Sequence, residues 1–277
     1  MKIDAHVHIT PPDISAGWEK YAEKEPYFSL LAKSKVNKFA DAENVIAMMD
    51  KESIDKAVVF GFAFKDFGLC RYVNDYVIEK VKQYPEKLTG FTVTPACKKA
   101  EAEIERCYKS GLKGVGELFP VGQGFDFDNN SGIKSITGIC KNLDIPLLLH
   151  VNEPVGHSYA GKTEINFKKL ETFISDNMEL KIILAHFGGG IFLYESMKEI
   201  KEAFKNVYYD TAAAVFLYDY RIYNAVKSLD LCGKLLFGSD FPLLTPSRYL
   251  PAFNKSLLCD DDKKIINALN AKKILGL

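Results

Sequence analysis

Two hydrophobic patterns alternate along the chain. Short apolar runs rich in β-branched and aromatic residues read IDAHVHI near 3–9, DKAVVFGFA near 55–63, LTGFTVTP near 88–95 and LKGVGELF near 112–119. They continue as PLLLHV near 146–151, KIILAHFG near 181–188, VYYDTAA near 207–213 and KLLFGSDFP near 234–242. Several are continuous rather than alternating, as strands covered on both faces are. Between them apolar residues fall at helical spacing. Val45, Met48 and Met49 do so in DAENVIAMMDKE, and Phe167, Leu170 and Ile174 in INFKKLETFISDN. Ile104, Cys107 and Tyr108 do so in AEAEIERCYKSG, where Gly111 stands at a C-terminal cap position. The segment 260–275 opens on an Asp run suited to a helix N-terminus and carries Ile265, Ile266, Leu269 and Ile274.

Eight strand–helix units in order, without a linker or a break in composition, predict one α/β domain over 1–277, a (β/α)8 TIM barrel. A doubly wound open sheet is the alternative, weakened because no G-x-G-x-x-G follows the first strand. The segment near 10–40 interrupts the first unit and carries Trp18, Tyr21, Tyr27 and Phe28 among charges. It reads either as a lid over the site or as a surface elaboration packed by its own aromatics.

Composition narrows the function classes. The 277 residues are 47% hydrophobic, enough for a sizeable core, and Lys+Arg and Asp+Glu both number 36. Zero net charge leaves no footprint for nucleic acid or an anionic membrane. No apolar run reaches a membrane span, and Asp4, His6 and His8 stand where an export signal would need an apolar segment. The six cysteines are irregularly spaced without C-x-x-C, so free thiols in a reducing cytoplasm are expected.

Candidate chemistry begins at KIDAHVHIT. In a strand His6 and His8 point to one face while Ile3, Ala5, Val7 and Ile9 cover the other. Two adjacent buried imidazoles each need a partner, and one bound metal would serve both. H-x-H alone reads equally as a satisfied core pair. The active site of such a barrel lies at the C-terminal strand ends. Those ends carry His6 and His8, Glu117, His150, His186 and Asp240, so four of the five histidines share one rim. Nitrogen and oxygen donors from distant parts of the chain suit a catalytic divalent metal, Zn²⁺ first, with Mn²⁺, Fe²⁺ or Co²⁺ as alternatives.

The motifs DAHVHI, RYVNDYV, GVGELFP, LLLHVNEPVGH, LAHFGGG, VYYDTAA and LLFGSDFP resemble the amidohydrolase superfamily, within it the amidohydrolase-related group, nearly end to end. The resemblance implies His6 and His8 as the strand-1 metal pair, and His150 as a further metal ligand. It implies His186 as a ligand of a second metal or a proton-transferring group, and Asp240 as a ligand that takes a proton from the nucleophilic water. Many members carry a carboxylated lysine where this chain has Glu117. A glutamate there resembles the superfamily's metal-dependent deoxyribonucleases, in which it bridges two ions. One ion or two therefore remain open, with Glu117 as bridge or as polar neighbour.

Weaker candidates surround these. His157 and Asn152 lie in the strand-5 loop and are candidate substrate contacts, as is Arg71 after strand 2, whose guanidinium would suit a carboxylate. Each also has a plain reading: loop structure for His157 and Asn152, an ordinary ion pair for Arg71. Asp210 faces the rim by alternation and could steady a histidine. GGG at 188–190 could offer backbone N–H groups to an anion or form a tight turn.

The reading that follows is a metal-dependent hydrolase. Its substrate is a small carboxylic amide, lactone or ester, attacked by a metal-activated water with Asp240 as proton shuttle. The alternative is a lyase that decarboxylates or hydrates an unsaturated carboxylate. The partner implied is a small molecule carrying a carboxylate, neither nucleic acid nor membrane, with a homo-oligomer left open.

Overall fold

The structure, a computed structural model, describes residues 1–36, 38–127 and 131–277. Eight parallel strands pair in sequence order: β1 (Ile3–His8), β2 (Lys56–Phe60), β3 (Leu88–Thr92), β4 (Gly114–Leu118), β5 (Leu147–Leu149), β6 (Ile182–Leu184), β7 (Val207–Asp210) and β8 (Leu235–Leu236). Backbone bonds bring the ends of the sheet together. Ala5 N–H donates to Phe237 O at 2.8 Å, His8 N–H to Phe241 O at 2.8 Å, and Asp240 N–H to His6 O at 3.0 Å. The result is the (β/α)8 barrel, so the open-sheet alternative falls.

The outer ring comprises α1 (Ala42–Glu52), α2 (Phe67–Gln83), α3 (Ala100–Lys109), α4 (Ser131–Leu143), α5 (Phe167–Ser175), α6 (Lys198–Ala203), α7 (Arg221–Ser228) and a C-terminal run over Asp260–Leu275. Local chemistry sets their boundaries. Asp41 and Asn44 form a reciprocal capping box at the start of α1, and Val45, Met48 and Met49 then bury one stripe. In α3, Ile104 and Cys107 are buried, but Tyr108 is exposed and is not a core residue. The C-terminal run departs from simple periodicity. A π-helical turn at Ile265–Leu269 shifts the buried face, so Leu269 points outward and Asn270 inward. The Asn270 amide donates to Cys232 O at 2.7 Å and Leu235 O at 2.6 Å.

The segment 10–40 contains three short helices, Pro12–Ala16, Trp18–Ala22 and Pro26–Ala32. Several contacts tie it to the barrel, among them the hydrogen bonds of Glu25 and Tyr27. The buried Glu25 carboxylate accepts the Lys65 and Asp66 backbone N–H groups at 2.8 and 2.7 Å, just after β2. Tyr27 O–H donates to Gly161 O at 2.8 Å, in the loop after β5. Cys70, Cys107, Cys140 and Cys232 are buried free thiols. Among the described residues no helix is long and apolar enough to cross a membrane.

Candidate metal centre

The strand ends bring the predicted residues to one point. Strand β1 carries His6 and His8 on its axial face, and their Nε2 atoms lie 3.3 Å apart. Glu117 comes from β4. Gly116 before it has φ +125°, and a Cβ there would sit 2.2 Å from Leu148 O, so glycine is what lets β4 press against β5 and present Glu117. His150 follows β5 directly. His186 and Asp240 follow β6 and β8, both in the left-handed region at φ 58° and 63°. Such a backbone costs an L-residue about 1–2 kcal/mol. Here it is held by His186 N–H donating to Asp210 Oδ1 at 2.9 Å and Asp240 N–H to His6 O at 3.0 Å. The distortion aims both side chains inward.

Two donor groups result: His6, His8 and Asp240 in one, and Glu117, His150 and His186 in the other, with donor atoms within 4.8 Å of one another inside each group. Glu117 reaches both. Its Oε2 is 3.5 Å from His6 Nε2 and from His8 Nε2, whereas its Oε1 is 2.9 Å from His150 Nδ1 and 3.3 Å from His186 Nε2.

Hydrogen bonds behind the rings fix their tautomers. His186 Nδ1 faces Ala212 O at 2.9 Å, and a carbonyl can only accept, so Nδ1 carries the proton. His6 Nδ1 donates to Asp210 Oδ2 at 2.8 Å. His150 Nε2 donates to Asn152 Oδ1 at 2.9 Å. The remaining nitrogens, His6 Nε2, His150 Nδ1 and His186 Nε2, thus face Glu117, with lone pairs when the rings are neutral and as N–H donors when they are protonated. His186 Nε2 and His150 Nδ1 are only 3.0 Å apart. Lone pairs converging on a carboxylate repel unless positive charge lies among them. A divalent cation fits each group by donor type, and protons fill the centre otherwise.

The proton affinities express the same demand. Burial opposes charge on His186, but the hydrogen bond and charge of Glu117 outweigh it and push the imidazole up to about 9. Burial opposes charge on His6 as well, and Asp210 and Glu117 together raise it. Burial alone would raise the Glu117 carboxyl, yet the charges of His6 and His150 and the hydrogen bonds from His150 and His186 hold it well below the usual carboxylate range. Asp240 behaves alike: burial is overcome by the His8 hydrogen bond and the charges of His6, His8 and His186, which lower it to about 2.

A cavity of about 410 Å³ opens onto this centre. His8, Glu117, His150, His186 and Asp240 form its polar floor, and Tyr27, Phe62 and Phe119 build an aromatic wall. Phe62 and Phe119 stack at 5.2 Å, and Phe119 lies 4.7 Å from the His150 ring. Asn152 and His157 also line the cavity. Asn152 is buried with its oxygen engaged by His150 and Thr163, which disfavours the expected substrate contact. His157 is exposed at the mouth. Arg71 corrects the expectation. It is exposed on α2 and does not line the cavity, because its place in the helix faces solvent rather than the barrel mouth. Among the described residues the lysine or arginine that lines it is Lys38, which sequence reading missed because nothing in a cluster of three lysines, Lys33, Lys35 and Lys38, tells which one turns inward. GGG at 188–190 is a tight left-handed turn. A Cβ on Gly189 would stand 2.3 Å from Asn152 O, so glycine lets the loops after β5 and β6 touch.

The family model described as Amidohydrolase matches residues 3–277, and the chain belongs to that family of enzymes. Solved structures share the fold along the whole chain. The 5-carboxyvanillate decarboxylase from Sphingomonas paucimobilis matches with TM-score 0.78 and 14% identity, over 100% of this chain and 99% of its own. The 5-carboxyvanillate decarboxylase from Novosphingobium aromaticivorans, complexed with manganese and 4-hydroxy-3-methoxy-5-nitrobenzoic acid, matches with TM-score 0.76 and 16% identity, over 100% and 96%. A probable 2-pyrone-4,6-dicarboxylic acid hydrolase from Acinetobacter baumannii, with citric acid bound, matches with TM-score 0.67 and 17% identity, over 100% and 99%.

Proposed function

We propose that this enzyme is a two-cation hydrolase of a small lactone, carboxylic ester or amide. The observation that carries the reading is the division of Glu117, one oxygen toward His6 and His8 and the other toward His150 and His186. One cation would be held by His6, His8 and Asp240, the other by His150 and His186, with Glu117 shared. Imidazole and carboxylate donors suit Zn²⁺ and accept Mn²⁺, the ion in one structural neighbour. When bound, such cations polarise a carbonyl and draw the pKa of a water down toward about 7.

The chain's own residues supply the remainder. Asp240 is ionised at neutral pH, so its carboxylate takes the proton of the attacking water and passes it to the leaving group. His186 keeps Nδ1–H on Ala212 O throughout, which leaves Nε2 as its only working atom. Tyr27, Phe62 and Phe119 hold the apolar part of the substrate and exclude bulk water. The segment 10–40 serves as a lid to the one barrel domain, and Lys38 is the group placed to meet a substrate carboxylate at the mouth. A cytoplasmic location is proposed on the six irregularly spaced cysteines, all free thiols.

Decarboxylation of an aromatic acid is the second reading, favoured by the aromatic wall and by the activities named for two of the neighbours. Turnover in ¹⁸O-water separates the two. Hydrolysis puts one label from solvent into the product acid and releases no CO₂ from lactones, esters or amides. Release of CO₂ from aromatic acids, with no label gained by any ester, lactone or amide, would overturn the hydrolase reading.

A further inference from the structure

Asn152 is buried immediately beyond the metal centre, two residues after His150. Its Oδ1 faces three groups: His150 Nε2 at 2.9 Å, Thr163 N at 2.9 Å and Thr163 Oγ1 at 3.1 Å. The Thr163 backbone N–H can only donate, so the atom it meets is the amide oxygen and the amide cannot be flipped. Both ring nitrogens of His150 face acceptors, Asn152 Oδ1 at Nε2 and Glu117 Oε1 at Nδ1, so with a cation at Nδ1 the nitrogen that carries the proton is Nε2. A neutral imidazole with Nε2–H has its lone pair on Nδ1, and His150 Nδ1 is the atom aimed at Glu117 Oε1, 2.9 Å away. The amide nitrogen is committed too, donating to Tyr159 O–H at 3.0 Å, and that hydroxyl donates onward to Glu153 at 3.2 Å.

We infer that Asn152 is a positioning residue: it fixes the Nε2–H tautomer of His150 and, through the same oxygen, ties the loop ending at Thr163 to the metal centre. The inference rests on the assignment of His150 as a ligand in the proposed function. Its consequence reaches the mouth of the cavity. Gly161, two residues before Thr163, accepts the Tyr27 hydroxyl at 2.8 Å, so the segment 10–40 leans on the loop that Asn152 anchors. The opposite tautomer of His150 would place an N–H against Glu117 and leave Nε2 as an acceptor facing an acceptor. That arrangement would present no lone pair to a cation and would lose the bond to Asn152. His6 and His186 likewise donate to oxygen acceptors, Asp210 for His6 and the Ala212 carbonyl for His186. Those acceptors come from β7 and the residues just after it, whereas Asn152 belongs to the chain segment it positions.

Nitrogen-15 spectra of the histidine rings in protein loaded with Zn²⁺ read the tautomer without any substrate. The expected result is His150 with Nε2 protonated and Nδ1 on the ion. Asn152→Asp keeps an acceptor at Oδ1 and should hold that tautomer and near-normal Zn²⁺ affinity. Asn152→Leu removes the acceptor at similar volume. It should mix the tautomers and weaken Zn²⁺ by about 10–100-fold in chelator competition. Wild-type His150 protonated on Nδ1 would overturn the inference. So would a folded Asn152→Leu with wild-type tautomer and Zn²⁺ affinity. If Asn152→Leu does not fold, the wild-type spectrum and Asn152→Asp decide, because a shift of tautomer in the latter would also overturn it. A protein that hydrolyses nothing but shows the expected tautomer would contradict the proposed function and leave this inference standing.

Discussion

Asp210 stands 204 positions after His6, yet its Oδ2 accepts the His6 Nδ1–H at 2.8 Å. Its Oδ1 meanwhile accepts the backbone N–H groups of His186 at 2.9 Å and Ala212 at 3.0 Å. One carboxylate therefore orients a ring in the first donor group and the backbone of the second. Asp210→Asn keeps the shape. If the amide oxygen stays with the two backbone donors, its N–H₂ opposes His6 Nδ1 and forces the wrong tautomer. Divalent-metal affinity should fall by about 10–100-fold. Competition titration with Zn²⁺ measures it, and unchanged affinity would leave Asp210 as a structural residue only.

Asp240→Asn separates proton transfer from cation binding. The amide keeps one oxygen near His8 but cannot take a proton. The variant should retain at least one cation per chain while turnover falls by about 10²–10⁴, the usual worth of a general acid–base group. Turnover and metal content are read on the same preparation. Activity that follows metal content alone, with near-normal turnover per ion, would remove Asp240 from proton transfer.

The elevated His186 predicts an unusual pH dependence for the chelated protein. Its folded pKa, about 9, lies above the ordinary histidine value of 6.5. Protonation therefore favours the folded state. That contribution is complete below pH 6.5 and is lost as pH rises through about 9. His6 and His8 are raised as well and act in the same direction. The Tm of metal-free protein should fall across that window. Protein loaded with Zn²⁺ should not follow, because the cation replaces those protons. Parallel Tm curves for the two forms would contradict the electrostatic account of the centre.

Glu25 tests whether the segment 10–40 matters to catalysis. Its carboxylate holds the Lys65 and Asp66 N–H groups and touches no metal donor. Glu25→Ala leaves both donors unpaired, at about 1–3 kcal/mol each, offset in part by water. Tm should drop by several degrees, and KM should rise much more than kcat falls. A lower Tm with unchanged KM would make the segment a surface elaboration rather than a lid.

The barrel was readable because burial on both faces of a parallel strand leaves continuous apolar runs, and all eight were where the pattern placed them. The convergence of these side chains was readable because His6 and His8 share a strand face and the others close strands of the same barrel. What the pattern could not give is direction beyond the strand ends. Arg71 is an isolated cation in sequence and Lys38 the last of three clustered lysines, and only the path of the chain puts one on a solvent-facing helix and the other at the cavity. The π turn at Ile265–Leu269 was hidden for a similar reason, since a one-residue bulge moves Leu269 out of a stripe that periodicity assigns it to. The role of Asn152 depends on Thr163, eleven residues along a loop without periodicity.

The central claim is that Glu117 joins two cation sites. Anomalous diffraction from crystals grown with excess Zn²⁺ tests it most directly, on wild type and on Glu117→Gln side by side. The account predicts two peaks in the wild type, one by His6, His8 and Asp240 and one by His150 and His186, about 3.5–4 Å apart as two-metal sites are. It predicts one peak, or two of much reduced occupancy, in the variant. A single fully occupied peak in the wild type, unchanged in Glu117→Gln, would contradict it and leave Glu117 a hydrogen-bonding neighbour of one ion.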